Sequence, residues 1–93
     1  MKFYFTYVLR SKKDRKLYHD YTKNLKLRIE QRKLGKVEST KHRRPLELIY
    51  FEGCPTKKDA LKREKYFKTH YGRMFIKKRL HTYFNLLNSY STG

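Results

Sequence analysis

Tyr4-Phe5-Thr6-Tyr7-Val8-Leu9-Arg10-Ser11, followed after a short polar turn by Leu17-Tyr18-His19-Asp20-Tyr21-Thr22, is the stretch that decides the fold. Phe3, Phe5, Tyr7 and Leu9 fall on one face of an extended chain, and Tyr4, Thr6 and Val8 on the other. Strand side chains alternate between faces, so residues 2–10 read as a strand that is apolar, and therefore covered, on both sides. Ser11 to Arg15 is a polar turn and Leu17 to Tyr21 a second short strand, which makes residues 2–21 a hairpin.

Outward from the hairpin, Thr22 can cap a helix that runs to about Leu34, with Gly35 as its stop. Leu25 and Ile29 lie four apart on one face of it, and Arg28 and Arg32 four apart on another. Lys36 to Pro45 is a basic loop, and Leu46 to Glu52 is a third strand closed by Gly53-Cys54-Pro55. Thr56 and Asp59 have the spacing of a capping box for a second helix, whose inward stripe is Ala60, Phe67 and Tyr71, with Glu64 among them and Gly72 at its end. A last helix carries Ile76, Leu80, Tyr83, Phe84 and Leu87 on one side. The order β-β-α-β-α-α predicts an α+β domain, a small three-stranded antiparallel sheet flanked by helices. Residues 1–88 are expected to form that one domain and 89–93 a frayed tail.

Only 38% of the 93 residues are apolar, but nine Tyr and six Phe are among them. Each aromatic ring buries a large area, so a modest core is within reach and a disordered basic tail is excluded. Lys and Arg number 25 against eight Asp and Glu, a net charge of +17 spread along the whole length. A field of that size repels itself, and nucleic acid is the commonest polyanion that relieves it. No apolar run approaches a membrane-spanning length, so a membrane partner is not expected. The lone Cys54 excludes an internal disulfide, and Met1-Lys2-Phe3-Tyr4-Phe5 lacks the pattern of a signal peptide. A cytoplasmic location is the expectation that follows.

Four residues could carry chemistry. Glu64 is a carboxylate on the inward side of a helix in a chain short of acids. It is either a salt-bridge partner for an arginine or an oxygen ligand for a hard divalent ion. Arg28 offers a guanidinium suited to a phosphate gaining charge, though a solvated arginine is the ordinary case. Tyr7 and Tyr18 lie in the hairpin, where they could approach each other or simply pack. A phenol, with a pKa of about 10, acts as a base only where positive surroundings favour phenolate. His19, His42, His70 and His81 show no metal-ligand spacing, and no Ser or Cys stands near a His in a catalytic pattern. Lys41, His42, Arg43, Arg44, Arg32 and Lys62 are candidate nucleic-acid contacts, as are Lys57, Lys58, Lys77, Lys78 and Arg79.

Taken in order, Tyr7, Tyr18, Arg28 and Glu64 resemble the motif set of the GIY-YIG nuclease superfamily. The segment 4–11 resembles its GIY strand, 17–22 its YIG strand, 24–29 the helix of its arginine, 36–45 the loop of its short stand-alone bacterial subfamily, and 60–65 its metal-glutamate helix. The likeness extends to the nuclease domain of the excision-repair C subunit and covers residues 3 to about 80. It implies a divalent-metal-dependent phosphodiesterase using one Mg²⁺ or Mn²⁺, with Glu64 binding the ion and Arg28 stabilising the scissile phosphate. Tyr7 and Tyr18 would position or deprotonate the attacking water.

Three departures qualify the expected activity, while Thr6 at the first GIY glycine is tolerated by the subfamily. Neither Asn85 nor Asn88 is assigned to the asparagine that some members carry late in the chain. The other two lie in the motifs themselves. Asp20 stands where the YIG strand has glycine, and Arg32 stands where many members have histidine. Asp20 adds bulk and negative charge where DNA must approach, or else lends a second oxygen to the ion. Arg32 cannot shuttle protons. The expectation is an endonuclease acting on DNA in repair or recombination. Its rival is a nucleic-acid-binding module with weak or lost catalysis, and an RNA-binding protein is a third reading. A protein partner could supply specificity that so short a domain lacks.

Overall fold

The computed structural model describes residues 2–91 of the chain. Strand β1 (Tyr4–Ser11) is central, as its two-sided apolar pattern requires, between β2 (Leu17–Thr22) and β3 (Leu46–Cys54). Both pairings are antiparallel. The sheet order is β2-β1-β3, which leaves β2 as an edge strand.

Each face of β1 has its own core. On one side Tyr7, Leu9 and Leu46 pack with Leu25 and Ile29 of α1 (Leu25–Lys33). On the other, Val8 packs with Phe67 of α2 (Lys57–Phe67) and Ile76 of α3 (His70–Arg79). Leu80, and Phe84 of α4 (His81–Ser91), close that second core. Thr6 points the same way and is fully buried, its hydroxyl donating to the Ala60 carbonyl at 2.6 Å. Arg63 crosses from α2 to β3, with two hydrogen bonds to Glu52 at 2.5 and 3.2 Å and its guanidinium over the rings of Tyr66, Phe67 and Phe75. That contact fixes the helix on which Glu64 sits.

Gly35 stops α1 as expected. Its φ is +78°, a conformation that residues with a Cβ adopt only with strain, which is why glycine stands there. The helix starts later than expected: Asn24, not Thr22, is the N-cap, its side chain accepting from the Leu27 N–H at 3.1 Å. Thr22 instead bonds to the backbone of Asn24 on the way in.

The second helix is the larger revision. The helix expected to end at Gly72 stops at Phe67, and the last helix expected to carry Ile76 to Leu87 is two: α3, starting after a Thr69 cap, and α4, separated from it at Leu80. Gly72 lies in the first turn of α3, where a Cβ would fall 1.9 Å from the Tyr66 carbonyl oxygen. The glycine permits the tight crossing of the two helices rather than terminating one. Beyond the break the helical phase is lost, so Tyr71 leaves the apolar stripe and is 74% exposed. Of the tail expected at 89–93, residues 89–91 continue α4, and 92 and 93 lie outside the described residues. Among the described residues, no helix is long and apolar enough to cross a membrane.

Candidate active site

Register places the site. Tyr7 on β1 pairs with Asp20 on β2, and because β2 is an edge strand, side chains from α1 and α2 can both reach it. Arg32, in the last turn of α1, comes in from one side. Its Nη2 lies 2.5 Å from Asp20 Oδ2, its Nε donates to Tyr7 Oη at 2.7 Å, and its Nη1 donates to Thr40 Oγ1 at 2.8 Å. The guanidinium is thus fully engaged and only 5% exposed. Arg32 was expected to touch nucleic-acid phosphate; it faces inward instead, since its charge is spent on Asp20 and its donors on two buried oxygens.

Glu64, on α2, approaches Asp20 from the other side. The two carboxyl groups are near enough to influence each other's ionisation, and the Tyr21 N–H donates to Asp20 Oδ1 at 2.8 Å. Burial, then the Asp20 carboxyl, pushes Glu64 above the usual carboxylate range. Burial also opposes ionisation of Asp20, but the Tyr21 N–H, the Glu64 carboxyl and Arg32 outweigh it and hold Asp20 below its ordinary value. Lys68 Nζ stands 4.0 Å from Glu64, a loose ion pair beyond hydrogen-bonding distance. The arrangement is therefore an ionised Asp20 clamped by arginine beside a carboxyl reluctant to ionise. Among the described residues no cluster of three or more His, Cys, Asp or Glu is placed to hold a metal ion. Two neighbouring carboxyl groups are nonetheless oxygen ligands of the kind a hard divalent ion takes, with water and phosphate filling the remaining positions.

The tyrosines separate. Tyr7 is 0% exposed, its hydroxyl accepting from Arg32 and donating to Asp20 at a long 3.5 Å. Burial raises its pKa despite Arg32 and Arg28 nearby. Tyr18 packs against the same core but turns its hydroxyl to Asp14, donating to Oδ2 at 2.5 Å, and that bond raises its pKa. In the metal-free chain, burial at Tyr7 and the Asp14 bond at Tyr18 favour the neutral phenol in each. Arg28 is half-buried on α1 and borders an open cavity of about 370 Å³ with Tyr21, Asn24 and Lys57. A neighbouring cavity of the same volume is bounded by Tyr18, His19, Asp20, Arg32, Thr40 and Lys68.

The basic loop docks beside these cavities. Ser11 Oγ donates to the Arg43 carbonyl at 2.6 Å, and Thr40, 1% exposed, is held by Arg32. Its cations are partly occupied: Lys41 pairs with Glu38 at 2.9 Å and Arg43 with Asp14 at 3.6 Å, while Arg44 Nε donates to the Lys41 carbonyl at 3.0 Å. His42 and Lys62 are exposed. Thr40 and Lys68 were not singled out from the sequence. A buried threonine in a polar loop and a lysine after a helix have no local signature, and only the closing of the loop over α1 brings Thr40 in.

The sheet, the glutamate on α2 and the arginine on α1 stand where the motifs of a nuclease-type domain would place them, and the family comparison shows that class. The GIY-YIG catalytic domain matches residues 3–79, and the chain belongs to that family. It is 48% identical over 67 residues to a UPF0213 protein of Pediococcus pentosaceus, covering 71% of this chain and 68% of that one. It is 42% identical over 66 residues to the UPF0213 protein YazA of Bacillus subtilis, covering 70% and 66% respectively. A UPF0213 protein of Staphylococcus aureus is 39% identical over 71 residues, covering 75% and 85%. No solved structure gives a significant match. Membership in a nuclease family implies a nucleic-acid substrate, which accords with the +17 charge.

Proposed function

We propose that this chain is a divalent-metal-dependent endonuclease that hydrolyses a phosphodiester of DNA, in repair or recombination. The observation that carries the reading is the half-buried Glu64 carboxyl of α2 beside Asp20 of the edge strand β2. Glu64 would hold one Mg²⁺ or Mn²⁺, with Asp20 as the second oxygen donor. When bound, such an ion draws charge from a phosphate oxygen and from the departing alkoxide.

The chain's own residues do the rest. Arg28, bordering the open cavity, pairs with non-bridging phosphate oxygens as they gain charge. Tyr18 has its proton committed to Asp14, so its oxygen keeps a lone pair that accepts a hydrogen bond from the attacking water and orients it. Tyr7 is buried away from water and acts as a strut: it carries Arg32, which carries Asp20. The loop cations Lys41, His42, Arg43 and Arg44, with Lys62, steer and hold the strand. Specificity beyond this comes from DNA shape or a protein partner, since the domain offers little surface for reading bases.

A second reading, a binding module with weak or no catalysis, is favoured by one observation. The Asp20–Arg32 bridge places a bulky charged pair where the family's pattern has glycine and histidine. Nicking of supercoiled plasmid in Mg²⁺ or Mn²⁺, with Glu64→Gln alongside, separates the two. Cleavage lost in the variant supports the nuclease; DNA binding without cleavage by the parent protein supports the module.

A further inference from the structure

The largest of the cavities described lies outside the carboxylate site, along the α3 side of the edge strand, with a volume of about 610 Å³. Its walls are Lys16, Leu17 and His19 from the β1–β2 turn and β2, Lys68 beyond α2, and Arg73 and Lys77 one turn apart on α3. Four of the six are cations, and Lys68 alone has an acidic neighbour among the ion pairs described, Glu64 at 4.0 Å. Cations converging without carboxylates repel one another, and an anion is what stabilises such a cluster. His19 adds a specific polar atom. Its ring stacks on Phe67, and its buried Nε2 has no hydrogen-bond partner in the structure. A buried unpaired ring nitrogen carries a desolvation cost, which a ligand oxygen would remove. Leu17 and the imidazole give the same cavity an apolar flank, on which a sugar or base can rest.

We infer that this cavity takes the end of a nucleic-acid strand: a terminal phosphomonoester with its nucleotide. A phosphodiester inside a strand carries a single negative charge, whereas a terminal phosphate carries about −1.5 to −2 at neutral pH and three acceptor oxygens. Four cations answer the second better than the first. The cavity shares Leu17, His19 and Lys68 with the cavity beside Asp20, so a strand end seated here would leave its next phosphates near Glu64. The inference deepens the nucleic-acid reading above and rests on it. It makes the domain selective for nicks, flaps or free ends over uninterrupted duplex.

The test measures binding rather than cleavage, in chelator without divalent ions, so that failure of the nuclease reading and failure of this one are seen separately. Short DNA strands bearing a 5′-phosphate, a 3′-phosphate or hydroxyl ends are titrated by fluorescence anisotropy with the intact chain. The comparison variants are Arg73→Gln/Lys77→Gln and, as a charge-matched control on the opposite face of the sheet, Lys26→Gln/Lys33→Gln. The expected result is about tenfold tighter binding of one phosphorylated end, lost in the α3 variant and kept in the α1 control. Equal affinity for phosphorylated and hydroxyl ends overturns the inference, as does a preference that survives in the α3 variant. In a second arm the His19 ring resonances are followed by NMR. Displacement by the phosphorylated strand well below the concentration of inorganic phosphate needed is the expected result. An equal response to inorganic phosphate assigns the cavity to free phosphate and overturns the strand end.

Discussion

Asp20 Oδ2 lies 2.5 Å from Arg32 Nη2, and both are positions at which the chain departs from the family's pattern. Read separately, each is a defect: a carboxylate in place of glycine, an arginine in place of histidine. Together they are a pair, with Arg32 also supporting Tyr7 and the loop through Thr40. The bridge neutralises a charge that would otherwise oppose DNA and holds Asp20 beside Glu64.

The pair should be energetically coupled. Removing one member leaves the other partly or wholly buried without its counterion, a loss of about 3 kcal/mol by the usual range for such pairs. Arg32→Ala and Asp20→Gly should each lower stability in urea titrations, Arg32→Ala more, since it also strands Tyr7 and Thr40. The double variant Asp20→Gly/Arg32→His should cost less than the sum of its parts by at least about 1 kcal/mol. Additive losses would show that the bridge contributes nothing of its own.

Glu64 makes a prediction about pH. Its folded pKa is raised, first by burial and then by Asp20, so the folded chain binds its proton more tightly than the unfolded chain does. That contribution is fully present below the unfolded value and is lost as pH rises through the folded one. Metal-free protein should therefore lose stability over that interval, and Glu64→Gln, which is near in size and does not titrate, should not. Thermal melts across pH, with and without Mg²⁺, decide it; adding the ion should flatten the dependence in the parent protein alone.

His19 works in the opposite direction. Burial, then Lys68 and Arg73, lowers its pKa from 6.5 to about 4. The unfolded chain binds the proton first, so the contribution is complete above the unfolded value and is lost as pH falls from about 6.5 toward about 4. His19→Gln should remove this part of the acid sensitivity. An unchanged profile would mean that the ring is solvated in solution.

Gly72 should tolerate no side chain. A Cβ 1.9 Å from the Tyr66 carbonyl forces α2 and α3 apart, so Gly72→Ala should cost about 3 kcal/mol, the upper end for overpacking. A melting temperature within a degree or two of the parent would show that the crossing is loose.

How much of this was legible in the sequence varies with the range of the interaction. The hairpin, the central strand and the Gly35 stop are written in local alternation and in a residue that tolerates positive φ. The α2–α3 break was not, because Gly72 reads as a terminator in one dimension and reveals its role only where two helices touch. Glu64 was visible as a lone acid on an apolar stripe. Its partnership with Asp20 was not, since 44 residues of sequence separate them and only the edge position of β2 brings them together. Arg32 was misplaced for the same reason: a basic residue four past Arg28 looks solvent-facing until the loop folds over it.

The most direct test of the central claim is metal-dependent nicking of supercoiled plasmid by the purified chain, beside Glu64→Gln shown by its melt to be folded. The account predicts cleavage that needs Mg²⁺ or Mn²⁺ and disappears in the variant, while DNA binding at low salt persists in both. Cleavage that survives in Glu64→Gln, or a folded parent protein that binds DNA and never cuts it, would contradict the account.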